Sequence, residues 1–128
     1  WQAIQKNIYT TGEITGTYKG SPMPEQSLVL KTENGFSVIT GCAHPGILKI
    51  IYSVKEDFKA EKIYLVMGGF HFIETDKRII NLIVSEFKKM GVKKVGPTHC
   101  SGKQAEEIFK TEYGRNSLSI NVGKTLEI

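Results

Sequence analysis

Three times after residue 27 the sequence repeats one arrangement: a short apolar run, a loop carrying a histidine beside glycine or proline, then residues at helical spacing. The apolar runs are FSVIT, KIYLVM and VKKVG, and the loops that follow them are GCAHPG, GGFHFIETD and PTHCSG. The first helical segment, ILKIIYSVKEDF, spaces Ile47, Ile50, Ile51, Val54 and Phe58 three or four apart. The second, KRIINLIVSEFKKMG, sets Ile79, Ile80, Ile83, Val84 and Phe87 toward one side, and KQAEEIFKTEYG is the third. Strands that alternate with helices predict an α/β chain with parallel strands joined by right-handed crossovers. Parallel strands would bring all three histidine loops to one sheet edge, where open α/β sheets bind ligands.

Local signals fill in the rest. SLVLKT and FSVIT flank ENG, which predicts a hairpin turning at Asn34-Gly35. Pro45 suits the first turn of the first helix. Gly91 suits the stop of the second. In SGKQ, Ser101 is expected as an N-cap with Gln104 reaching back. The tail SLSINVGKTLEI reads as two short strands joined at Gly123-Lys124, giving the order β-β-α-β-α-β-α-β after residue 27. Residues 1–24, rich in glycine and proline, read as an irregular lead-in with one or two short strands near Ile8–Tyr9 and Ile14.

At 40% hydrophobic and 23% charged, residues 1–128 suit a single domain. No apolar run approaches the roughly 20 residues of a membrane helix. The net charge of +4 comes from lysines scattered over helices and turns, which predicts a solvated surface. Without aromatics interleaved among those lysines, nucleic acid is disfavoured as a partner. Two cysteines are too few for a disulfide scaffold, so a reduced, cytoplasmic protein is expected. The chain starts at Trp1 rather than Met, and a fragment of a longer protein is expected.

The histidine loops carry the chemistry. Imidazole is the commonest metal donor, and a thiolate adds a soft one suited to zinc or iron. His44 stands two residues after Cys42, and His99 directly precedes Cys100. A lone loop histidine is ordinarily just surface. Three at one predicted edge, two of them beside cysteine, point to a cluster, although no HxH or CxxC spacing is present.

Taken together, PEQSLVLKTENGFSVITGCAHPGI, IYLVMGGFHF and GPTHCSGKQA resemble the C-terminal half of the metallo-β-lactamase superfamily. The branch they resemble comprises metal-dependent hydrolases and includes the dihydropterin-ribofuranosyl-aminobenzene phosphate synthases. The resemblance covers roughly residues 8–128. It implies an α/β fold, namely the C-terminal half of an αβ/βα sandwich with a mixed sheet and helices. It also implies a divalent metal, zinc first, with iron or manganese as alternatives. Typical members supply HxHxDH from the first half, then an Asp or Cys after a later strand, then a final His. By position Cys42 is in register with the Asp or Cys, His44 takes or shares that role, and His99 resembles the last metal histidine. For His71 the resemblance leaves a general acid, a substrate-side group or a ligand, and the general acid is the role expected here. No HxHxDH occurs in these 128 residues, so the implied site is half of one.

The implied function is a hydrolase module in which a metal-activated water acts on an ester or phosphoester-like small molecule, phosphorylated substrates included. Lys103, at a helix start, is a candidate to attract a phosphate. The alternative is a non-catalytic α/β remnant that pairs with a partner chain. Half a sandwich leaves one sheet face uncovered, so association with an N-terminal half or a second copy is expected under both readings. Glu25 and Gln26 are expected to hydrogen-bond structurally, Thr98 to satisfy backbone at a helix start, and Cys100 to be a small buried residue or a redox-sensitive neighbour of the metal. Tyr64, Phe70, Phe72 and Phe87 are expected in the core, and Trp1 as an exposed end.

Overall fold

Four valines in register explain how the layers stack. A computed structural model describes residues 1–128 throughout. The strands and helices are β1 (Gln2–Gln5), β2 (Ile8–Thr10), β3 (Thr17–Tyr18), β4 (Ser21–Pro22), β5 (Leu28–Thr32), β6 (Gly35–Thr40), α1 (Ile47–Asp57), β7 (Ile63–Gly69), α2 (Lys77–Lys89), β8 (Lys94–Thr98) and α3 (Lys103–Tyr113). Six strands form one sheet in the order β1-β2-β5-β6-β7-β8, and β3-β4 is a separate hairpin. Pairing is antiparallel from β1 to β6 and parallel from β6 to β8, so the sheet is mixed. Val29, Val38, Val66 and Val95 are partners across β5 to β8, and each is 0% exposed. They share one hydrophobic core with Ile47, Ile50, Ile51 and Val54 of α1, Ile80, Val84 and Phe87 of α2, and Ala105, Ile108 and Phe109 of α3. All three helices therefore cover the same face. Each such side chain stabilises the fold by about 1.5–3 kcal/mol through burial.

Side chains alternate along a strand, so the rows beside the valines face the other way. Leu28, Ile39 and Met67 form one such row, and they are only half-buried. Where the row reaches Gly96, the C-terminal tail lies over it: a Cβ there would sit 2.9 Å from Ile120 and 3.1 Å from Met67.

The alternation of strands and helices is as expected, while several local features differ. The tail makes one bridge, Val95 to Ser117, and a turn at Asn121–Lys124 instead of two strands. Its Ile120 is laid on the open sheet face over Gly96, so the tail leaves the edge of β8 after that bridge. The lead-in holds four short strands, two of which extend the main sheet; strands this brief leave little alternation to read. The hairpin forms, but its turn is Glu33-Asn34, with Gly35 paired to Thr32. Helix α1 starts after Gly46, placing Pro45 outside it, and Phe58 is its C-cap. That Phe58 packs against Trp1, Tyr9 and Phe36. Trp1 is thus 59% exposed yet anchored. On α2, Ile79 is 51% exposed, because neighbouring residues differ by about 100° around a helix and Ile80 takes the inward position. Asp76 caps α2 through the Arg78 amide, and Gly91 and Val92 close its end as expected.

Ser101 is not the cap of α3; Gly102 occupies that place. The serine is 0% exposed, and its hydroxyl accepts from the Phe70 amide at 3.0 Å and donates to the Gly68 carbonyl at 3.3 Å. Further bonds join the same loops: Gly69 N–H to the Gly41 carbonyl at 2.9 Å, Phe72 N–H to the Cys100 carbonyl at 3.1 Å, and the Thr40 hydroxyl to the Gly69 carbonyl at 2.9 Å. A Cβ on Gly69 would lie 2.4 Å from the Gly41 oxygen and 2.7 Å from the Cys100 sulfur. Gly69→Ala should therefore lower stability by about 1–3 kcal/mol, as overpacked positions do. A urea titration reads this directly, and an unchanged midpoint would show that the loops are not in contact.

Candidate functional site

Parallel β6, β7 and β8 end side by side, and the loops after them bring His44, His71 and His99 to one edge of the sheet. Two sets of donor atoms gather there, each within 4.8 Å of one another: Glu25, Cys42 and His44 in one, Cys42, His99 and Cys100 in the other. Cys42 belongs to both. The four residues Cys42, His44, His99 and Cys100 come from two loops, 41–46 and 98–102, and Glu25 comes from the segment before β5.

Glu25 fixes the first set. Its carboxylate accepts from the Ala43 amide at 2.9 Å and the His44 amide at 3.4 Å, and it also bonds His44 Nδ1. A neutral His44 that donates Nδ1–H to the carboxylate would leave the Nε2 lone pair free, the arrangement that orients and strengthens metal-binding histidines. His44 is 12% exposed and Glu25 18%. The hydrogen-bonding role expected of Glu25 is thus present, and it bears on a site residue.

His71 joins neither donor set. Its exposed ring packs 4.5 Å from that of His44, centroid to centroid. Tyr18 lies against both, 4.8 Å from the His44 ring and 5.2 Å from the His71 ring, with Lys19 Nζ 5.2 Å from the tyrosine ring. Tyr18 is the residue that sequence reasoning missed. It sits on the two-residue strand β3, and the one available signal was Gly16, where a Cβ would come within 2.6 Å of Pro45 N. That close approach docks the β3–β4 hairpin on the His44 loop.

The backbone at this edge is strained. Ala43, His71 and His99 all have left-handed φ, at 61°, 55° and 52°. Non-glycine residues pay about 1–2 kcal/mol for this conformation, and it tends to persist at functional sites. Each strained residue is a histidine or the neighbour of one.

Burial pushes the Cys42 thiol up to about 11, helped by the Cys100 sulfur and the Glu25 charge beside it. The two cysteines are not joined in a disulfide. A metal held here would displace the thiol proton outright.

Lys103 belongs to neither donor set. It lines a groove of about 460 Å³ between α3 and the tail, together with Glu106, Glu107 and Lys110. The groove's charges are mixed, so nothing there selects an anion. Other lysines are engaged locally: Lys88 with Glu112, Lys89 with Glu86, Lys55 with the Met90 carbonyl and Lys94 with the Tyr64 hydroxyl. Such pairing fits a solvated surface. No helix is long and apolar enough to cross a membrane.

No family model matches the sequence. A solved metal-dependent hydrolase of the β-lactamase superfamily matches 99% of the chain at a TM-score of 0.83 and 33% identity. The chain belongs to the metallo-β-lactamase superfamily. Among curated relatives, the 7,8-dihydropterin-6-methyl-4-(beta-D-ribofuranosyl)-aminobenzene-5'-phosphate synthase of Methanocaldococcus jannaschii is 35% identical over 103 residues, 80% of the chain. An uncharacterized protein of the same organism is 34% identical over 91 residues, 71% of the chain. The chain spans about a third of these curated relatives (35% and 33%) and 56% of the solved metal-dependent hydrolase.

In metal-free protein the alkylation rate of Cys42 should climb about tenfold per pH unit well beyond the range of an ordinary thiol, because only the thiolate reacts. Peptide-resolved mass spectrometry after timed iodoacetamide exposure reports this for Cys42 alone. A plateau at an ordinary thiol's pH would contradict the burial described above.

Proposed function

We propose that this chain, as the C-terminal portion of a metallo-β-lactamase-type protein, supplies one half of a metal-dependent hydrolase site. Cys42, His44 and His99 are the metal ligands and His71 is the general acid. The observation that carries this reading is the position of Cys42, whose sulfur is shared by two donor sets converging from separate loops. The donor chemistry fits a divalent ion, zinc first: imidazole and thiolate suit zinc or iron, and the Glu25–His44 bond is the kind that supports a ligating histidine.

A divalent ion held there would supply Lewis-acid polarisation and an activated water near neutral pH. The chain's own residues do the rest. Glu25 holds His44 in one tautomer. Tyr18 and His71 wall the exposed side of His44, which limits the orientations a substrate can take. His71, exposed and held in place by its backbone and by ring contacts, gives its proton to the leaving oxygen. Substrates are small esters or phosphoesters, and the phosphate in the name of the curated synthase relative supports the phosphorylated class. Full activity requires the HxHxDH half.

Metal analysis of the purified protein tests this. Stoichiometric zinc or iron is expected, lost largely in His44→Ala and in His99→Ala and retained in His71→Ala. Glu25→Gln should weaken affinity about 10–100-fold through the loss of its orienting bond. Full metal occupancy in both histidine-to-alanine ligand variants would overturn the assignment.

A second reading, a module that pairs with a partner chain, is favoured by the half-buried Leu28–Ile39–Met67 row. The two readings are compatible, since an N-terminal half would cover that row. Light scattering should show association, and a stable monomer at low concentration would count against pairing with a second copy.

A further inference from the structure

We propose that Cys100 is itself a metal donor, and that Cys42, Cys100 and His99 form a dithiolate–imidazole site made by this chain alone. The proposal rests on the metal-binding reading above and adds to it a ligand and a preference for soft metals. The donor atoms of the three residues already lie within 4.8 Å of one another. Tetrahedral zinc, with bonds of about 2.3 Å to sulfur and 2.0–2.1 Å to nitrogen, needs donors roughly 3.5–3.8 Å apart. The site requires a contraction of about an ångström or less, within reach of side-chain rotation.

The backbone is arranged to make this meeting possible. Consecutive residues ordinarily send their side chains apart. Here the left-handed φ of His99, 52°, followed by the 3-10 turn His99–Ser101, turns the His99 and Cys100 donors toward Cys42. The Cys100 carbonyl is held by the Phe72 amide at 3.1 Å, and its sulfur lies 3.5 Å from the Cys42 carbonyl oxygen. Across from it Gly69 leaves the space a side chain would fill, since a Cβ there would lie 2.7 Å from the Cys100 sulfur and 3.1 Å from Cys42 Cα. Ser101, next in sequence, is buried and bonded to two other loop atoms, which fixes the turn that carries both donors.

Three protein ligands, two of them thiolates, leave a fourth position open, as catalytic zinc sites do. Thiolates select zinc or iron against magnesium, calcium and manganese. The other donor set that Cys42 joins, with Glu25 and His44, offers oxygen and nitrogen instead. The loop set should therefore load a soft ion first, before any other half of the protein is present.

Cobalt(II) titration under reducing, oxygen-free conditions tests this, because a sulfur-to-cobalt charge-transfer band reports thiolate ligands. The wild-type protein should show the band at one equivalent. Cys100→Ala and Cys100→Ser should each lose about half of it, as should Cys42→Ala. A full band in both Cys100 variants overturns the proposal. A half-strength band in the wild type that both Cys100 variants keep overturns this proposal but leaves the metal-site reading, with Cys42 as its one thiolate, standing; cobalt bound without any sulfur band, or no cobalt binding, overturns both. X-ray absorption on zinc-loaded wild-type protein gives an answer independent of how the variants fold. Two sulfurs at about 2.3 Å are expected, and one or none would refute the dithiolate set.

Discussion

The close approach of three loop backbones around Gly69 is the constraint on which the rest depends. Gly41, Gly69 and Cys100 meet at distances that leave no room for one more methyl group. The buried Ser101 hydroxyl then serves a donor and an acceptor on the middle loop. Loops that only neighbour one another would wander independently. Loops bonded to each other act as one rigid rim, and donors carried on them hold fixed separations. The metal chemistry proposed for Cys42, His44, His99 and Cys100 needs that rigidity more than it needs any single ligand.

The rim in turn depends on the valine row. Because Val29, Val38, Val66 and Val95 are in register, β5 to β8 are aligned at one level, and β6, β7 and β8 deliver their C-terminal ends together. A one-residue slip of β7 would reverse its faces, exposing Val66 and moving Gly69 out of contact with Gly41. Core packing and site geometry are thus set by the same register.

Much of this was legible in the sequence. Apolar periodicity revealed three strand–loop–helix units, and the histidine in each loop marked the edge where they meet. Short elements were less visible. Strands of two to four residues in the lead-in have too few positions to show alternation, so β3 and the Tyr18 it carries went unread. Ser101 looked like a cap because S-x-x-Q is a capping pattern; only the fold reveals that its hydroxyl is already engaged between Phe70 and Gly68. The tail's alternation suggested strands, but whether a strand forms depends on a free partner edge, and here an uncovered apolar face competed for the same residues. What stayed hidden was in each case decided by residues distant in sequence.

The left-handed backbone at His71 and His99 has a consequence for how such a chain can vary. Glycine would relieve the strain at either position, and asparagine would ease it, each at the cost of an imidazole. At these two residues selection for stability and selection for chemistry pull in opposite directions. A lineage released from the chemistry should drift toward glycine or asparagine there and grow more robust as it does so. A lineage that keeps histidine in a conformation histidine disfavours is one in which the ring is still in use.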